Sequence, residues 1–186
     1  MSQNKLYMIM LGCKPKGRHT EQHDIFFTIG KSLKEAVPHI KNFWPEGGTI
    51  HIDAWREVTC IDGFKISIKK RIITTEKQKE KLFFLNLGGY KRGEFEEFHY
   101  KMIMAAANKS EVIQKAKTSA FYLHTGFKGA SSHIDDKYGI DVDDLHEIED
   151  ILPAEQKKIF EIHITQTSKA NEDDLHIGYT NLLKIK

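Results

Sequence analysis

Cysteine and long apolar runs are both scarce in this sequence. Its 186 residues include only two cysteines, Cys13 and Cys60, which is too few for a disulfide framework and typical of a reducing compartment. The apolar run nearest the N-terminus, Leu6–Leu11, is shorter than a signal-peptide core, and no run approaches the length that crosses a bilayer. We therefore expect a cytoplasmic protein with no membrane partner.

An excess of charge of one sign is also missing. Lys and Arg total 28 against 26 Asp and Glu, so the formal net charge is only +2. This balance provides no whole-molecule attraction for polyanions, and we do not expect nucleic acid to be a partner. Hydrophobic residues make up 40% and charged residues 29%, as in an ordinary globular protein, which excludes a disordered tail, a collagen-like repeat and a coiled coil.

An internal repeat organises the chain. When the sequence is aligned with itself so that Lys5 falls on Lys81, nine of the 37 positions from 5 to 41 are identical without a gap. The identical pairs are Lys5/Lys81, Leu6/Leu82, Leu11/Leu87, Gly12/Gly88, Gly17/Gly93, Glu21/Glu97, His23/His99, Glu35/Glu111 and Lys41/Lys117. One offset that holds through strand-like, loop-like and helix-like stretches indicates a duplication rather than a shared composition.

Each copy has the same order of predicted elements. Two apolar strands are separated by a polar loop that contains glycine, and these strands are predicted at Leu6–Leu11, Asp24–Gly30, Leu82–Leu87 and Tyr100–Ala106. An amphipathic helix follows in each copy, and its start is marked by the capping boxes Ser32-x-x-Glu35 and Asn108-x-x-Glu111. The first copy then closes with a hairpin whose turn signal is Asp62-Gly63 and whose strands are Ile50–Ala54 and Phe64–Ile68.

The predicted fold is α+β, built from two tandem ββαββ repeats that are related by a pseudo-two-fold axis. Each repeat is expected to form an antiparallel sheet covered by one helix. The first repeat is predicted at residues 1–75 and the second at 76–186. The strand Phe160–Ile164 of the second repeat corresponds to Phe64–Ile68 of the first. The second repeat also carries an inserted stretch rich in Gly and Asp, about residues 125–144, and a C-terminal strand within Leu175–Ile185.

The same residues resemble a bacterial family catalogued as a domain of unknown function, DUF1543. The strings that carry the resemblance are residues 10–12, 16–18, 21–24, 43–45 and 51–56 in the first copy, and 86–90, 93–99, 124–130 and 132–139 in the second. The resemblance implies one or two copies of the domain and no activity that could be carried over. The second copy has Gly89 in place of Cys13 and Tyr100 in place of Asp24, so a chemistry that needs either residue in both copies is not expected.

The loop after the first strand of each copy contains the most suggestive side chains. They are His19, Glu21, His23 and Asp24 in the first copy, and Glu97 and His99 in the second. Carboxylate and imidazole together can bind a divalent metal or act as an oriented general base, so Glu21, His23, Glu97 and His99 are the metal candidates. The alternative is structural: each Glu-x-His pair fixes a long hairpin loop.

A second polar group lies in the predicted hairpin. Strand alternation places His51, Asp53 and Trp55 on the face opposite the core isoleucines, where they could bind a ligand or simply face solvent. The triplet His51-Ile52-Asp53 recurs at residues 133–135, but there it does not follow the spacing of the repeat. Together with His163, His51 also resembles the paired His-x-Thr strands of two-histidine phosphoesterases, although its own triplet lacks the Thr.

Three further features indicate weaker hypotheses. The basic stretch from Lys65 to Lys81 could bind phosphate, but it also fits a strand edge guarded by lysines. The acidic residues of the inserted stretch could hold Ca²⁺ or form a surface loop. Cys13 could act as a nucleophile, but no third group that would orient it is evident.

The favoured function is a non-enzymatic, duplicated module that binds a small molecule or a protein. The sequence requires no cofactor, and it leaves a homodimer open. The alternative is a small metal-dependent hydrolase or phosphoesterase that uses the paired Glu-x-His loops. The two hypotheses differ in geometry, because an enzyme needs these groups, or one pair with other polar side chains, to converge at a pocket.

Overall fold

The chain forms two compact units. The computed structural model describes residues 3–72, 78–119, 145–168 and 173–185, together with the backbone of residues 133–134. The first unit consists of Met1–Thr74 with Leu152–Lys186, and the second unit is Thr75–Ile151. Within the described ranges, no helix is long and apolar enough to span a bilayer. The mixed α+β class that the sequence predicted is confirmed.

Strands predominate over helices. The strands are β1 Lys5–Cys13, β2 Gln22–Gly30, β3 His51–Val58, β4 Cys60–Ile61, β5 Phe64–Lys70, β6 Lys81–Tyr90, β7 Glu97–Ala106, β8 His133–Ile134, β9 Leu145–Glu147, β10 Phe160–Gln166 and β11 His176–Asn181. The α-helices are α1 Leu33–Phe43, α2 Lys109–Lys117, α3 Ile148–Ile151 and α4 Ala154–Ile159. Short 3-10 turns lie at Pro45–Gly47 and Leu182–Lys184.

The larger sheet of the first unit is antiparallel, with the strand order β11-β3-β1-β2. Alternate residues of β1 face a core that helix α1 covers, and Ala36 and Ile40 are its buried helical members. The strand residues of this core are Tyr7, Ile9, Leu11, Cys13, Phe26 and Ile52. Because side chains alternate along a strand, Met8, Met10 and Gly12 lie on the opposite face of β1.

A second, smaller sheet in the first unit has the order β10-β5-β4. Asp62 and Gly63 join β4 to β5 with φ values of 51° and 79°, and this pair of positive angles is the geometry that favours Asp-Gly in two-residue hairpin turns. The predicted hairpin partner is wrong, however, because β3 pairs with β1 and not with β5. Strand β5 pairs instead with β10, and Ile66 lies opposite Ile164.

The described residues of the second unit form one sheet, with the order β7-β6-β8 and β9 also paired to β6. Its core packs helix α2 against β6 and β7 through Val112 and Ala116. The hairpin register equals that of the first unit once the offset of the repeat is applied: Lys5 lies opposite Gly30, and Lys81 lies opposite Ala106.

The division of the chain differs from the predicted boundary at one place. The sequence assigned residues 76–186 to the second repeat, whereas the residues from Leu152 onward belong to the first unit. The physical reason is strand pairing: β10 completes the smaller sheet, and β11, which falls in the predicted C-terminal strand, pairs with β3 at the edge of the larger sheet. Apart from β8, the inserted stretch at residues 125–144 lies outside the described residues.

Candidate functional site

Gly12 occupies the centre of a polar site at one end of the larger sheet. It lies on β1 directly opposite His23 of β2 on one side and His51 of β3 on the other. Residues that are directly opposite in antiparallel strands project to the same face. Since glycine has no side chain, neighbouring side chains can approach its Cα closely on the face that α1 does not cover.

A β-bulge brings Asp53 into the same site. Leu11 lies opposite Ile52 and Met10 lies opposite Ala54, so Asp53 is an extra residue on β3. Bulges commonly redirect a side chain in this way. The carboxylate of Asp53 therefore joins His51 on the face of Gly12.

The bulge also overturns the predicted orientation of Trp55. It shifts the alternation of β3, so Trp55 lies opposite Ile9 and packs against the core. The Trp55 ring is 6.1 Å from the Tyr7 ring and stacks on His176 of β11 at 3.8 Å. Trp55 thus lies on the core face of the sheet and not on the face of the candidate site.

Four side chains make up what we call the His–carboxylate cluster: Glu21, His23, His51 and Asp53. Nε2 of His51 lies 2.6 Å from Oε1 of Glu21 and 3.2 Å from Oδ1 of Asp53. Nε2 of His23 lies 3.4 Å from Oδ2 of Asp53. One donor atom from each of Glu21, His23 and Asp53 falls within 4.8 Å of the other two, an arrangement that could hold a metal ion.

The space above Gly12 is the point on which these groups converge. A Cβ added at Gly12 would overlap Oδ2 of Asp53 and Nε2 of His51, and it would lie 2.7 Å from Oε1 of Glu21. Three polar atoms from two elements, β3 and the loop before β2, therefore face one position. Only glycine at residue 12 allows these atoms to approach the backbone so closely.

One polar atom of the cluster is buried without a hydrogen bond. Oδ2 of Asp53 has almost no solvent contact and accepts no hydrogen bond from the described residues, although the His23 imidazole lies nearby. A buried carboxylate oxygen without a partner is unfavourable and uncommon in folded proteins. A cation in the space above Gly12 would satisfy this oxygen.

The cluster is open to solvent on one side. The side chains of His23 and Glu21 are 45% and 43% exposed, whereas that of His51 is 12% exposed. Tyr179 of β11 covers His51, with the two ring centres 4.6 Å apart. The site thus has a buried inner wall and an accessible outer edge.

Cys13 lies beside this site but belongs to the core. Its side chain is fully buried, and burial raises the pKa of the Cys13 thiol, an effect that the Glu21 carboxylate reinforces. A raised pKa keeps the sulfur in its protonated, weakly nucleophilic form. The structure therefore gives no support to Cys13 as a nucleophile.

The remaining predicted site residues lie outside the cluster. His19 is exposed in the turn between β1 and β2, and Asp24 lies opposite Leu11, where its Oδ1 accepts a hydrogen bond of 2.7 Å from the Ile25 amide. In the second unit, Oε1 of Glu97 accepts a hydrogen bond of 2.9 Å from the hydroxyl of Tyr90. His99 lies opposite Gly88 on the neighbouring strand.

One other sequence hypothesis loses its geometric basis. His51 and His163 belong to different sheets, so they do not form the paired histidine strands of a phosphoesterase. In the basic stretch, Arg71 already donates from Nε to the carbonyls of Lys157 and Phe160, at 2.8 and 3.2 Å. This arginine ties α4 and β10 to the end of β5.

Sequence reasoning identified all four members of the cluster but placed them in two separate groups. The Glu-x-His loop and the His-x-Asp strand are separated in the sequence by β2 and α1, and only the pairing of β1 with both β2 and β3 unites them. The missed signal was Gly12, which the repeat matches with Gly88.

The fold and site define a mixed α+β protein with a His–carboxylate cluster on an open sheet face. Residues 18–68, which include the whole cluster, match the model of a domain of unknown function, DUF1543. Over these residues the match confirms the resemblance that the sequence suggested.

A solved structure resembles the chain over nearly its whole length. It is the crystal structure of the protein Il1583 from Idiomarina loihiensis, with a TM-score of 0.56 and 21% sequence identity, covering 96% of this chain and 97% of that chain. At this identity the similarity concerns the fold alone. No curated protein matches the chain.

Proposed function

We propose that the protein is a non-enzymatic binding module for a divalent transition-metal ion, which Glu21, His23, His51 and Asp53 hold above Gly12. The observation that carries this proposal is the buried Oδ2 of Asp53, which lacks a hydrogen bond, lies 3.4 Å from Nε2 of His23 and approaches Gly12 closely. The nearby atoms of Glu21 and His51 face the same position. A bound cation would give these three polar atoms one shared partner.

The chemistry of the donors favours a metal of the zinc class. Neutral imidazoles and carboxylates are ordinary ligands of Zn²⁺, and imidazole is uncommon around Mg²⁺ or Ca²⁺, which prefer oxygen. Four protein donors are also as many as a closed, tetrahedral zinc site uses, whereas catalytic zinc sites usually keep one position for water. The exposed edges of His23 and Glu21 would let the ion reach the site.

Competition titration with a coloured chelator tests the proposal. Metal-free wild-type protein is expected to take Zn²⁺ from the chelator, and His23→Ala/Asp53→Asn is expected to weaken the tightest binding by at least about 100-fold, since even supporting residues of metal sites contribute about 10–100-fold. The matched control is His19→Ala/Asp24→Asn, which removes the same residue types nearby but outside the cluster. Its affinity should equal that of the wild type.

Two results would refute this proposal. The wild-type protein could fail to bind Zn²⁺, Co²⁺, Ni²⁺ and Mn²⁺, or the His23/Asp53 variant could bind as tightly as the wild type. Circular dichroism of each variant shows that the fold is retained, so that lost binding is not mistaken for unfolding.

The alternative is a small metal-dependent hydrolase or phosphoesterase, and the exposed outer edge of the cluster favours it, because a substrate could approach from that side. Zinc-loaded protein would then hydrolyse aryl phosphate monoesters or diesters. We expect no turnover above that of His23→Ala/Asp53→Asn. Turnover that this variant abolishes would replace the binding module with an enzyme.

We also propose that both units derive from one duplicated element of two strands, a helix and a further strand. Support comes from the equal hairpin registers and from the helices, whose first residues, Leu33 and Lys109, are separated by the same offset as Lys5 and Lys81. A cytoplasmic location is proposed because Cys13 and Cys60 are both free thiols. A homodimer and a further small-molecule or protein partner remain predictions.

A further inference from the structure

We propose that Tyr179 of β11 is a positioning residue of the metal site and that it acts through the ring of His51. This inference rests on the proposed function of the His–carboxylate cluster and deepens it. It makes the C-terminal strand a part of the binding module, although none of the four donors lies on β11.

An irregularity in β11 brings Tyr179 to the cluster. Strand β11 pairs with β3, and its register shifts between Ile177 and Thr180. Across this shift β11 has two residues, Gly178 and Tyr179, where β3 has only Asp53. Irregularities of this kind are common beside functional sites, where they redirect a side chain. The bulge that brings Asp53 into the cluster therefore lies at the same level of the sheet as Tyr179.

The backbone on either side of Tyr179 explains where its ring projects. Gly178 has a φ of 134°, a value that residues with a Cβ rarely adopt, so glycine is the residue that suits the shift. Asn181 lies directly opposite His51, and directly opposite residues project to the same face. Tyr179 precedes Asn181 by two positions and therefore projects to that face as well.

The ring of Tyr179 limits the tilt of the His51 imidazole. The two ring centres are 4.6 Å apart, and the ring planes meet at 35°. The carboxylate of Glu21 contacts one atom of the imidazole, Nε2, whereas the aromatic contact bears on the plane of the whole ring. An imidazole binds a metal through a lone pair in its own plane, so this tilt determines whether Nε2 points at the ion. Partners that orient a histidine ligand contribute to metal affinity in this way.

Burial alone does not account for an aromatic residue at this position. Tyr179 is 65% exposed, and an aromatic side chain stabilises a fold mainly through the area that it removes from water. Replacing Tyr179 should therefore leave the fold intact. A change in metal affinity can then be assigned to the lost contact with His51.

Titration of the full, metal-free chain with Zn²⁺ and with Co²⁺ tests the inference. Tyr179→Ala should weaken Zn²⁺ binding about 10-fold, at the lower end of the range for residues that orient metal ligands. It should also change the visible absorption spectrum of bound Co²⁺, which reports the geometry of the ligands and not the stability of the fold. Tyr179→Phe keeps the ring and should equal the wild type in both measurements.

His176→Ala is the matched control. It removes the other ring contact between β11 and β3, in which His176 stacks on Trp55 with ring centres 3.8 Å apart. Because Trp55 lies on the core face of the sheet, the Zn²⁺ affinity and the Co²⁺ spectrum should be those of the wild type. Tyr179→Leu, which lacks a planar ring, serves if Tyr179→Ala does not fold, and it should show the same loss.

The outcomes separate this inference from the proposed function. A wild-type affinity and Co²⁺ spectrum in Tyr179→Ala or Tyr179→Leu would overturn the role of Tyr179 and leave the metal site intact. An equal loss in His176→Ala would show that the site needs only the attachment of β11, and an equal loss in Tyr179→Phe would show that the ring is not what matters. Either result would overturn the inference. A wild-type protein that binds no metal would refute both proposals.

Discussion

The hairpins of the first and second units each place a histidine directly opposite a glycine, His23 opposite Gly12 and His99 opposite Gly88, yet the side chains around these two pairs differ. In the first unit a bulge adds Asp53, and the loop adds Glu21. In the second unit Glu97 is held by Tyr90. The comparison shows that strand pairing provides the common scaffold, while local irregularities decide how many donors surround it.

Filling the space above Gly12 is expected to have the largest effect. In Gly12→Ala, the new methyl group would displace the side chains of Asp53 and His51 from the point on which they converge. We expect Zn²⁺ affinity at the first site to fall about 100-fold, comparable to the loss of supporting contacts in known metal sites. Competition titration measures the change.

Gly30→Ala is the control for this substitution. A Cβ at Gly30 meets Cβ of Glu35 at 3.2 Å and no member of the cluster, so metal affinity should not change. Equal Zn²⁺ affinity in Gly12→Ala and the wild type would show that the ion does not bind above Gly12.

The two units also differ at a buried aromatic position, where Tyr7 corresponds to Phe83. Burial, followed by the Glu57 carboxylate, raises the pKa of Tyr7 to about 12 from its usual 10.0. The folded state therefore keeps the phenol proton at pH values where the unfolded chain releases it. This difference contributes about 2–3 kcal/mol to the free energy of unfolding below pH 10, and the contribution should be lost as the pH rises to about 12.

Tyr7→Phe isolates this contribution, because it places the residue of the second unit in the first. The loss of stability between about pH 9 and pH 11.5 should be smaller in Tyr7→Phe than in the wild type by about 2 kcal/mol. Urea unfolding followed by tryptophan fluorescence is suitable, since Trp44 and Trp55 both lie in the first unit. Parallel pH curves for the two proteins would contradict the assignment.

The outer strand of each hairpin is supported by a different side chain. In the first unit, the Gln156 amide accepts a hydrogen bond from Ile29 N–H and donates one to Ile29 C=O, both at 2.8 Å. In the second unit, Ala105 is the counterpart of Ile29 in the repeat, and its carbonyl accepts a hydrogen bond of 3.0 Å from Nζ of Lys115.

Gln156→Leu should destabilise the first unit by about 1–3 kcal/mol, because both groups of Ile29 would be left buried without partners. Fluorescence-detected urea unfolding measures this change. The exposed Gln166 on β10 provides the control, and Gln166→Leu should change stability by less than about 0.5 kcal/mol. A loss of similar size in both variants would mean that the Ile29 contacts do not matter.

The smallest effect is expected at two surface ion pairs, one in each unit. Nζ of Lys5 lies 2.6 Å from Glu57, and Nζ of Lys81 lies 2.7 Å from Glu147. Exposed pairs of this kind contribute about 0–1 kcal/mol, so Lys5→Met and Lys81→Met should each change thermal stability only slightly. A shift corresponding to more than about 2 kcal/mol in only one variant would show that the two pairs are not equivalent.

The sequence predicted local elements well because they depend on local patterns. Local signals predicted β1, α1, α2 and the β4–β5 hairpin, all of which are present. These signals are the apolar runs, the capping boxes and the Asp62-Gly63 turn. In α2 the Asn108 side chain accepts from the Glu111 amide at 3.0 Å, and the Glu111 carboxylate accepts at 3.1 Å from the amide of Ala107, one residue before the cap. In α1 only the second kind of bond forms, from the Lys31 amide to the Glu35 carboxylate.

Strand partners and irregularities could not be predicted in this way. An alternating strand such as β3 can bury its apolar face whether it pairs with β5 or with β1. The alternation therefore does not determine which strand it pairs with. A bulge leaves no mark on the pattern, which is why Trp55 was placed on the wrong face. The cluster itself depends on both features, because β3 must pair with β1 and must bulge at Asp53.

Anomalous X-ray diffraction at the zinc absorption edge, from crystals of the zinc-loaded protein, locates the bound ion itself. We expect an anomalous peak above Gly12, within bonding distance of side-chain donors from Glu21, His23, His51 and Asp53. A zinc-loaded crystal with no peak at that position, or with its strongest peak on other residues of the first unit, would contradict it.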